Sequence, residues 1–166
     1  MSAKLALAAT NYLLQQSSVT DLVGEDEAGP WIFWQAPQAT IENTGTSMVV
    51  INSVSGWGSN GHNTARFPQL VVDIWTDPTR NSDMSVRRPD AALKAEAVYV
   101  ALDKFLHLVN ADVPGGGSVV WGTAGEIATK TGVRIISSER TNEPSVSPAI
   151  NDEGAVIATV RYDVSI

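Results

Sequence analysis

The sequence predicts an α+β fold: an antiparallel sheet covered by an N-terminal helix and one long central helix, with long hairpin loops. Three observations carry this expectation. The apolar periodicity runs helix, strands, long helix, strands. The links between strands are rich in Gly, Asn, Asp and Pro, as in hairpins. There is no regular strand–helix alternation of the kind a doubly wound sheet needs. At 166 residues with 43% hydrophobic content, the chain is read as a single domain spanning 1–166, with a sizeable core.

The first element is an amphipathic helix. In "MSAKLALAATNYLLQQ", Leu5, Ala9, Tyr12 and Leu13 fall on one side at helical spacing. The apolar stretch 5–9 is short and polar residues follow at once, so a helix is preferred to a cleaved signal. Residues 17–24, "SSVTDLVG", close this helix and make a short turn that Gly24 stops. "EDEAGP" reads as a polar loop. Trp31, Phe33 and "WQAP" read as a short strand ended by Pro37. "SMVVINSV", residues 47–54, is a Val- and Ile-rich second strand.

Residues 55–68, "SGWGSNGHNTARFP", have loop composition and are expected to form a hairpin arm. In "QLVVDIWTDPTR", residues 69–80, Leu70, Val72 and Ile74 point one way. Gln69, Val71, Asp73 and Trp75 point the other. Asp77, Pro78 and Asn81 then break the chain.

The central helix is expected within 85–109. Pro89 suits its first turn and Asp90 its positive end. Ala91, Ala95, Val98, Leu102, Phe105 and Val109 recur at steps of three or four, widened by Tyr99 and Leu106; Arg87, Arg88, Lys94, Glu96, Asp103 and Lys104 fall mostly off that stripe. After the glycine-rich link "NADVPGGG" come "SVVWG" and "VRIISSER", residues 133–140, as strands. "TNEPSVSPAINDEG" reads as a second long loop. The last strand, "AVIATVRYDVSI", presents Val156, Ala158, Val160, Tyr162 and Val164 to the core and Ile157, Thr159, Arg161 and Asp163 outward.

Composition narrows function. A net charge of -7 with 17% charged residues argues against a surface that grips nucleic acid, which needs clustered Lys and Arg. The absence of cysteine excludes disulfides, thiolate metal sites and Cys nucleophiles. No apolar run approaches the ~20 residues of a membrane span. The two histidines, His62 in the Gly/Asn loop and His107 near the end of the long helix, show no nucleophile elbow beside a serine. His107 reads as a polar tip at a helix C-terminus. The acidic pieces "GEDE" and "NDEG" lack the alternating oxygen ligands of a calcium loop. "VPGGGS" lacks the Gly-Lys-Ser/Thr ending of a phosphate loop. No catalytic, metal or cofactor-binding residue is therefore assigned, and the chain is expected not to be an enzyme. A small hydrolase or nucleotide-binding enzyme would need His62 or His107 to meet carboxylates in a pocket.

Candidate subunit-interface residues remain. Trp57, between two glycines, either folds back on its own core or anchors in a neighbouring subunit. His62 and Arg66 (next to Ala65) share its loop. Trp75 is a core-edge or an interface residue. Asp73, Arg134 and Arg161 lie on the non-core faces of their strands; were those strands neighbours, they would pair across the sheet and mark register or an interface.

Several stretches, in their order, resemble the tail terminator proteins of long-tailed bacteriophages, also called tail-completion or tail-tube-end proteins. These are the N-terminal helix leading into "VTDLVG", then "WIFWQAPQ", "SMVVINSV" and "RFPQLVVDIWTDPTR" with Gln69, Asp73 and Trp75, then the long helix, "RIISSERTNEPSVSP" and "VRYDVSI". The resemblance covers nearly the whole chain. The loops around 56–63 and 141–153 are longer than the family minimum. The resemblance implies a virion protein at the head-proximal end of the tail, made in the host cytoplasm. It implies a hexameric ring that caps the tail tube, stops its polymerisation and offers a surface to the head-tail connector or head-closure protein. DNA would pass through the lumen without specific binding, and no cofactor or membrane is involved. Another neck or tail component, such as a connector protein or a tube subunit, is the alternative.

Overall fold

The computed structural model describes residues 2–42, 44–55, 68–79, 82–83, 88–107, 119–122, 133–147 and 156–165. The fold is α+β, as expected: a mainly antiparallel sheet with helices on one face. Its elements are α1 (Ser2–Leu13), α2 (Ser17–Thr20), β1 (Glu25–Asp26), β2 (Gly29–Pro30), β3 (Ile32–Trp34), β4 (Ser47–Ser55), β5 (Pro68–Thr76), α3 (Arg88–Leu106), β6 (Val119–Trp121), β7 (Val133–Ile135), β8 (Ser137–Arg140), β9 (Ser145–Ser147) and β10 (Val156–Ser165). The main sheet runs β3-β4-β5-β10-β8, with β9 also on β10; β1–β2 and β6–β7 are separate ribbons.

The expected inward face is the buried one. Leu70, Val72 and Ile74 from β5 join Val156, Ala158, Val160, Tyr162 and Val164 from β10 and Val49 and Ile51 from β4. Helix α1 lies over β3 and β4, and α3 over β5 and β10. Leu5, Ala8, Ala9 and Leu13 of α1 and Ala91, Ala95, Val98, Leu102 and Leu106 of α3 face this sheet. The alanines matter as much as the leucines, because a helix face without bulk lets the backbone approach the strands closely. Tyr12 joins three elements: it meets Phe105 edge-on at 6.1 Å and stacks on Trp121 at 6.2 Å. The side-chain amide of Gln15 donates to the Asn11 carbonyl at the end of α1, and that of Gln16 adds to the Gln15 backbone amide on the Tyr12 carbonyl.

Four local expectations change. First, β3 pairs parallel to β4, Ile32 against Val49, instead of through a hairpin. The connecting segment crosses the outer face of the sheet, and Ala39 and Ile41 pack there with Trp31, Met48, Val50, Phe33 and Trp75 in a second apolar cluster. Second, "EDEAGP" folds into the β1–β2 ribbon, whose turn Asp26 closes by accepting the Ala28 amide at 2.8 Å. Third, residues 133–140 form two strands, because the chain leaves β6 at Ile136 and joins β10. Fourth, the loop after Arg140 contains β9, which extends the same edge of β10. The expected arm residues 56–67, the link 108–118 and Val109 lie outside the described residues.

Two glycines are dictated by geometry. Gly24 donates to the Ser47 carbonyl and accepts from the Trp31 amide, and a Cβ there would sit 2.3 Å from the Trp31 ring. Gly45 has φ +65, in the left-handed region that costs any L side chain.

Candidate assembly surfaces

The outer face of the main sheet holds three of the expected site residues, Asp73 and Trp75 on β5 and Arg161 on the adjacent β10. Asp73 on β5 lies opposite Thr159 on β10 and accepts its hydroxyl at 2.7 Å. Arg161 is two positions further along β10, opposite Val71, and is exposed. The strands are neighbours, yet the carboxylate's partner is a hydroxyl and the expected Asp–Arg pairing does not form, because the register offsets the two charges. Gln69 donates to Asp163 at 2.9 Å across the same strand pair. Trp75 is half-buried against Met48, Val50 and Ile41, which fits its core-edge reading. Arg134 belongs to the separate β6–β7 ribbon, exposed and opposite Val120. Trp57, His62 and Arg66 lie outside the described residues.

A polar hub that the sequence reading did not single out ties α3 to the sheet. The Asp103 carboxylate accepts from the Tyr162 hydroxyl at 2.7 Å and from the Arg140 guanidinium at 2.6 Å. Arg140 also donates to the Tyr99 hydroxyl, lies 5.7 Å from the centre of that ring and reaches Glu143 at 3.8 Å. Its backbone amide donates to Nδ1 of His107 at 3.0 Å, so the histidine at the end of α3 acts as an acceptor for β8. Burial, then the hydrogen bond to Asp103, pushes the Tyr162 phenol far above its ordinary value of 10.0. Burial and Asp103 raise Tyr99 too, against the opposing pull of Arg140. Burial alone would pull the Arg140 guanidinium down, but Asp103 and its other neighbours outweigh that and raise it. Both carboxylate oxygens of Asp103 are engaged, so the hub is arranged to fasten. One signal for it was present: Tyr99, Asp103 and Leu106 share a helix side at steps of four and three, so Asp103, grouped above with the polar residues off the stripe, borders its widened side.

A second hub fastens the segment before β4. Lys94 donates to the Gly45 carbonyl at 2.7 Å and to Thr79 at 2.8 Å, and pairs with Asp90 at 3.4 Å. Buried Asp77 accepts the Gly45 amide at 2.8 Å, while its own amide donates to Thr46. Ser47 and Thr76 share a buried hydroxyl contact at 2.9 Å.

The largest apolar exposure lies on the side of α3 away from the sheet. Leu93 (66% exposed) and Val100 (47%) line, with Leu22 (42%) after α2, an open groove of about 520 Å³ rimmed by Glu96 and Lys104. Surface-exposed apolar groups of this size gathered in one groove mark a contact surface more often than isolated ones do. Among the described residues, no group of three or more His, Asp or Glu is placed to hold a metal ion, and no helix is long and apolar enough to cross a membrane.

No family model matches the chain, and no curated protein is significantly similar to it. Its fold is similar to that of a chain in the virion of a native gene transfer agent (GTA) particle. The two share 13% identity at a TM-score of 0.55, over 98% of this chain and 93% of that one. A second solved chain, at 20% identity and a TM-score of 0.45, covers 100% of this chain and 97% of that one and carries no argument.

Proposed function

We propose that this chain is a structural virion protein that forms a hexameric ring, caps a phage tail tube, stops its growth and presents the head-joining surface. The observation that carries this reading is the α+β fold shared over 98% of the chain with a component of a virion particle. The ordered stretches from "VTDLVG" to "VRYDVSI" narrow that to the tail terminators they resemble. The site geometry agrees in kind. The polar hubs join elements of the chain to one another, and the apolar exposure is a groove suited to another protein. A net charge of -7 suits a lumen that DNA crosses without sticking. On this reading the partners are further copies of the chain, the tube protein and the connector, and the protein catalyses no reaction.

The test is a tube-growth assay. Purified protein is imaged by electron microscopy and added to polymerising tube protein. Rings at one end of tubes whose growth has stopped are the expected outcome. Incorporation along the tube wall would make it a tube subunit. Binding to the connector alone would make it another neck protein, and an absence of effect on both would remove the reading.

A further inference from the structure

The segment from Gln35 to Glu42 crosses the outer face of the sheet on few attachments. Among the described residues, no backbone amide from Gln38 to Glu42 donates a hydrogen bond, and Pro37 has none to give. Apart from Ala39 and Ile41, the side chains of this segment are exposed. Those two reach down onto an apolar face made by Trp31, Phe33, Met48, Val50 and Trp75. The ends of the segment are built differently from its middle. At the β3 end, Gln35 still donates to the Ile51 carbonyl but turns with φ +71. It is the one non-glycine residue in the left-handed region among the described residues, a conformation that strains an L side chain. At the β4 end, Gly45 is clasped on both sides: Lys94 donates to its carbonyl at 2.7 Å and Asp77 accepts its amide at 2.8 Å. In the covered cluster, Nε1 of Trp31 is buried with no hydrogen-bond partner, so the closed arrangement leaves a donor unsatisfied.

We infer that residues 36–42 form a hinged strap that lifts from the outer face while the sheet and helices stay folded. Local opening is easiest where buried apolar contacts are few and backbone hydrogen bonds are missing, and this segment has both features. Gln35 is the hinge: extending the chain there releases its left-handed turn. Burial of Ile41 and the clasp on Gly45 oppose the opening. Lys94 belongs to α3 and Asp77 follows β5, so the clasp is mounted on the rigid frame and not on the strap. Lys94 therefore sets how often the strap lifts. Lifting uncovers Met48 and Val50 of β4. Val72, on the helix-covered face of the neighbouring strand, stays sealed. The inference stands on the strap alone and does not depend on the ring reading.

The cysteine-free sequence lets thiol labelling read the opening. Met48→Cys and, in a second chain, Val50→Cys place a thiol under the strap, and Val72→Cys places one beneath the helices; all three positions are buried in the parent. Urea denaturation of each full-length variant fixes the labelling rate that global unfolding alone permits. The thiols at 48 and 50 are expected to react with a maleimide at least about tenfold faster than that limit, and with little dependence on urea. The thiol at 72 is expected to react at the limit. Added to Met48→Cys, Lys94→Met is expected to speed labelling roughly tenfold by opening the clasp. Gln35→Gly is expected to slow it roughly threefold, because glycine takes the left-handed turn without strain. Position 72 should respond to neither change beyond the shift in global stability. Labelling at 48 and 50 at the global limit would overturn the inference. Equal acceleration at 48 and 72 by Lys94→Met would also overturn it, since Lys94 would then be a staple of the whole fold.

Discussion

The two faces of the main sheet are built on opposite terms. The helix-covered face is almost wholly apolar: Leu70, Val72 and Ile74 of β5 and the whole inward series of β10 are buried, and α1 and α3 seal it. The outer face changes character along its width. At the β3–β4 side, an irregular segment covers Met48, Val50 and Trp75. Toward β10 it carries Asp73, Thr159, Arg161 and Asp163, with hydroxyl–carboxylate and amide–carboxylate bonds between strands. One face is specified by hydrophobic volume and the other by a latch. The covering segment on the outer face is held down by Lys94 of α3 and by Asp77, just past the end of β5.

That contrast can be broken at several points. Leu102→Asp places a carboxylate in the sealed face and is expected to cost ~4 kcal/mol or more, enough to abolish the cooperative thermal transition in circular dichroism. Asp103→Ala should follow at ~2–4 kcal/mol in urea denaturation, because it strands the Arg140 guanidinium and the Tyr162 hydroxyl together. Gly24→Ala sits at the margin of the outer face; its Cβ would collide with the Trp31 ring, and a loss of ~1–3 kcal/mol is expected. Arg161→Ala, on the open part of the outer face, should change stability by no more than ~0.5 kcal/mol. If Arg161→Ala cost as much as Gly24→Ala, the outer face would be doing more for the fold than its bonds suggest.

The tyrosine phenols sharpen the comparison through pH. All three tyrosines are raised above 10.0, Tyr12 by burial alone and Tyr162 the most. The folded state keeps protons that the unfolded chain releases above about pH 10. Their contribution is therefore complete below pH 10 and is lost as pH rises beyond it, most steeply for Tyr162, at up to about 1.4 kcal/mol per pH unit. Phenolate absorbance in an alkaline titration is expected to rise together with unfolding, and Tyr162→Phe to flatten the fall in stability.

The sealed face was legible from the sequence because strand alternation and helical periodicity both report one apolar side. Leu70, Val72 and Ile74, the α3 stripe and the whole inward series of β10 were readable in that way. The outward residues of β5 and β10 were readable by the same alternation, but what covers and links the outer face was not. The parallel pairing of β3 depends on where a non-periodic segment lies, and nothing local in residues 35–46 encodes a path across a sheet. The expected meeting of Asp73 with an arginine failed on register, which a single strand cannot report. Arg140 ends a predicted strand and was given no role, because that role depends on Asp103 and Tyr162, far away in sequence. The groove residues Leu93 and Val100 were hidden for the opposite reason: apolar residues off the main stripe look like noise until the fold shows them exposed.

One small device at the far edge has a wider consequence. Between β8 and β9 the edge of β10 would lie bare, but the Asn142 side chain accepts from the Arg161 amide at 2.7 Å and donates to the Thr159 carbonyl at 3.2 Å. A side-chain amide thereby stands in for one residue of a missing strand. The sheet ends there in two short strands and a plug in place of one long strand, the form that natural sheet edges take against pairing with another molecule. An extended segment that would add to this side, the route to amyloid-like aggregates, meets interrupted backbone and no continuous ladder.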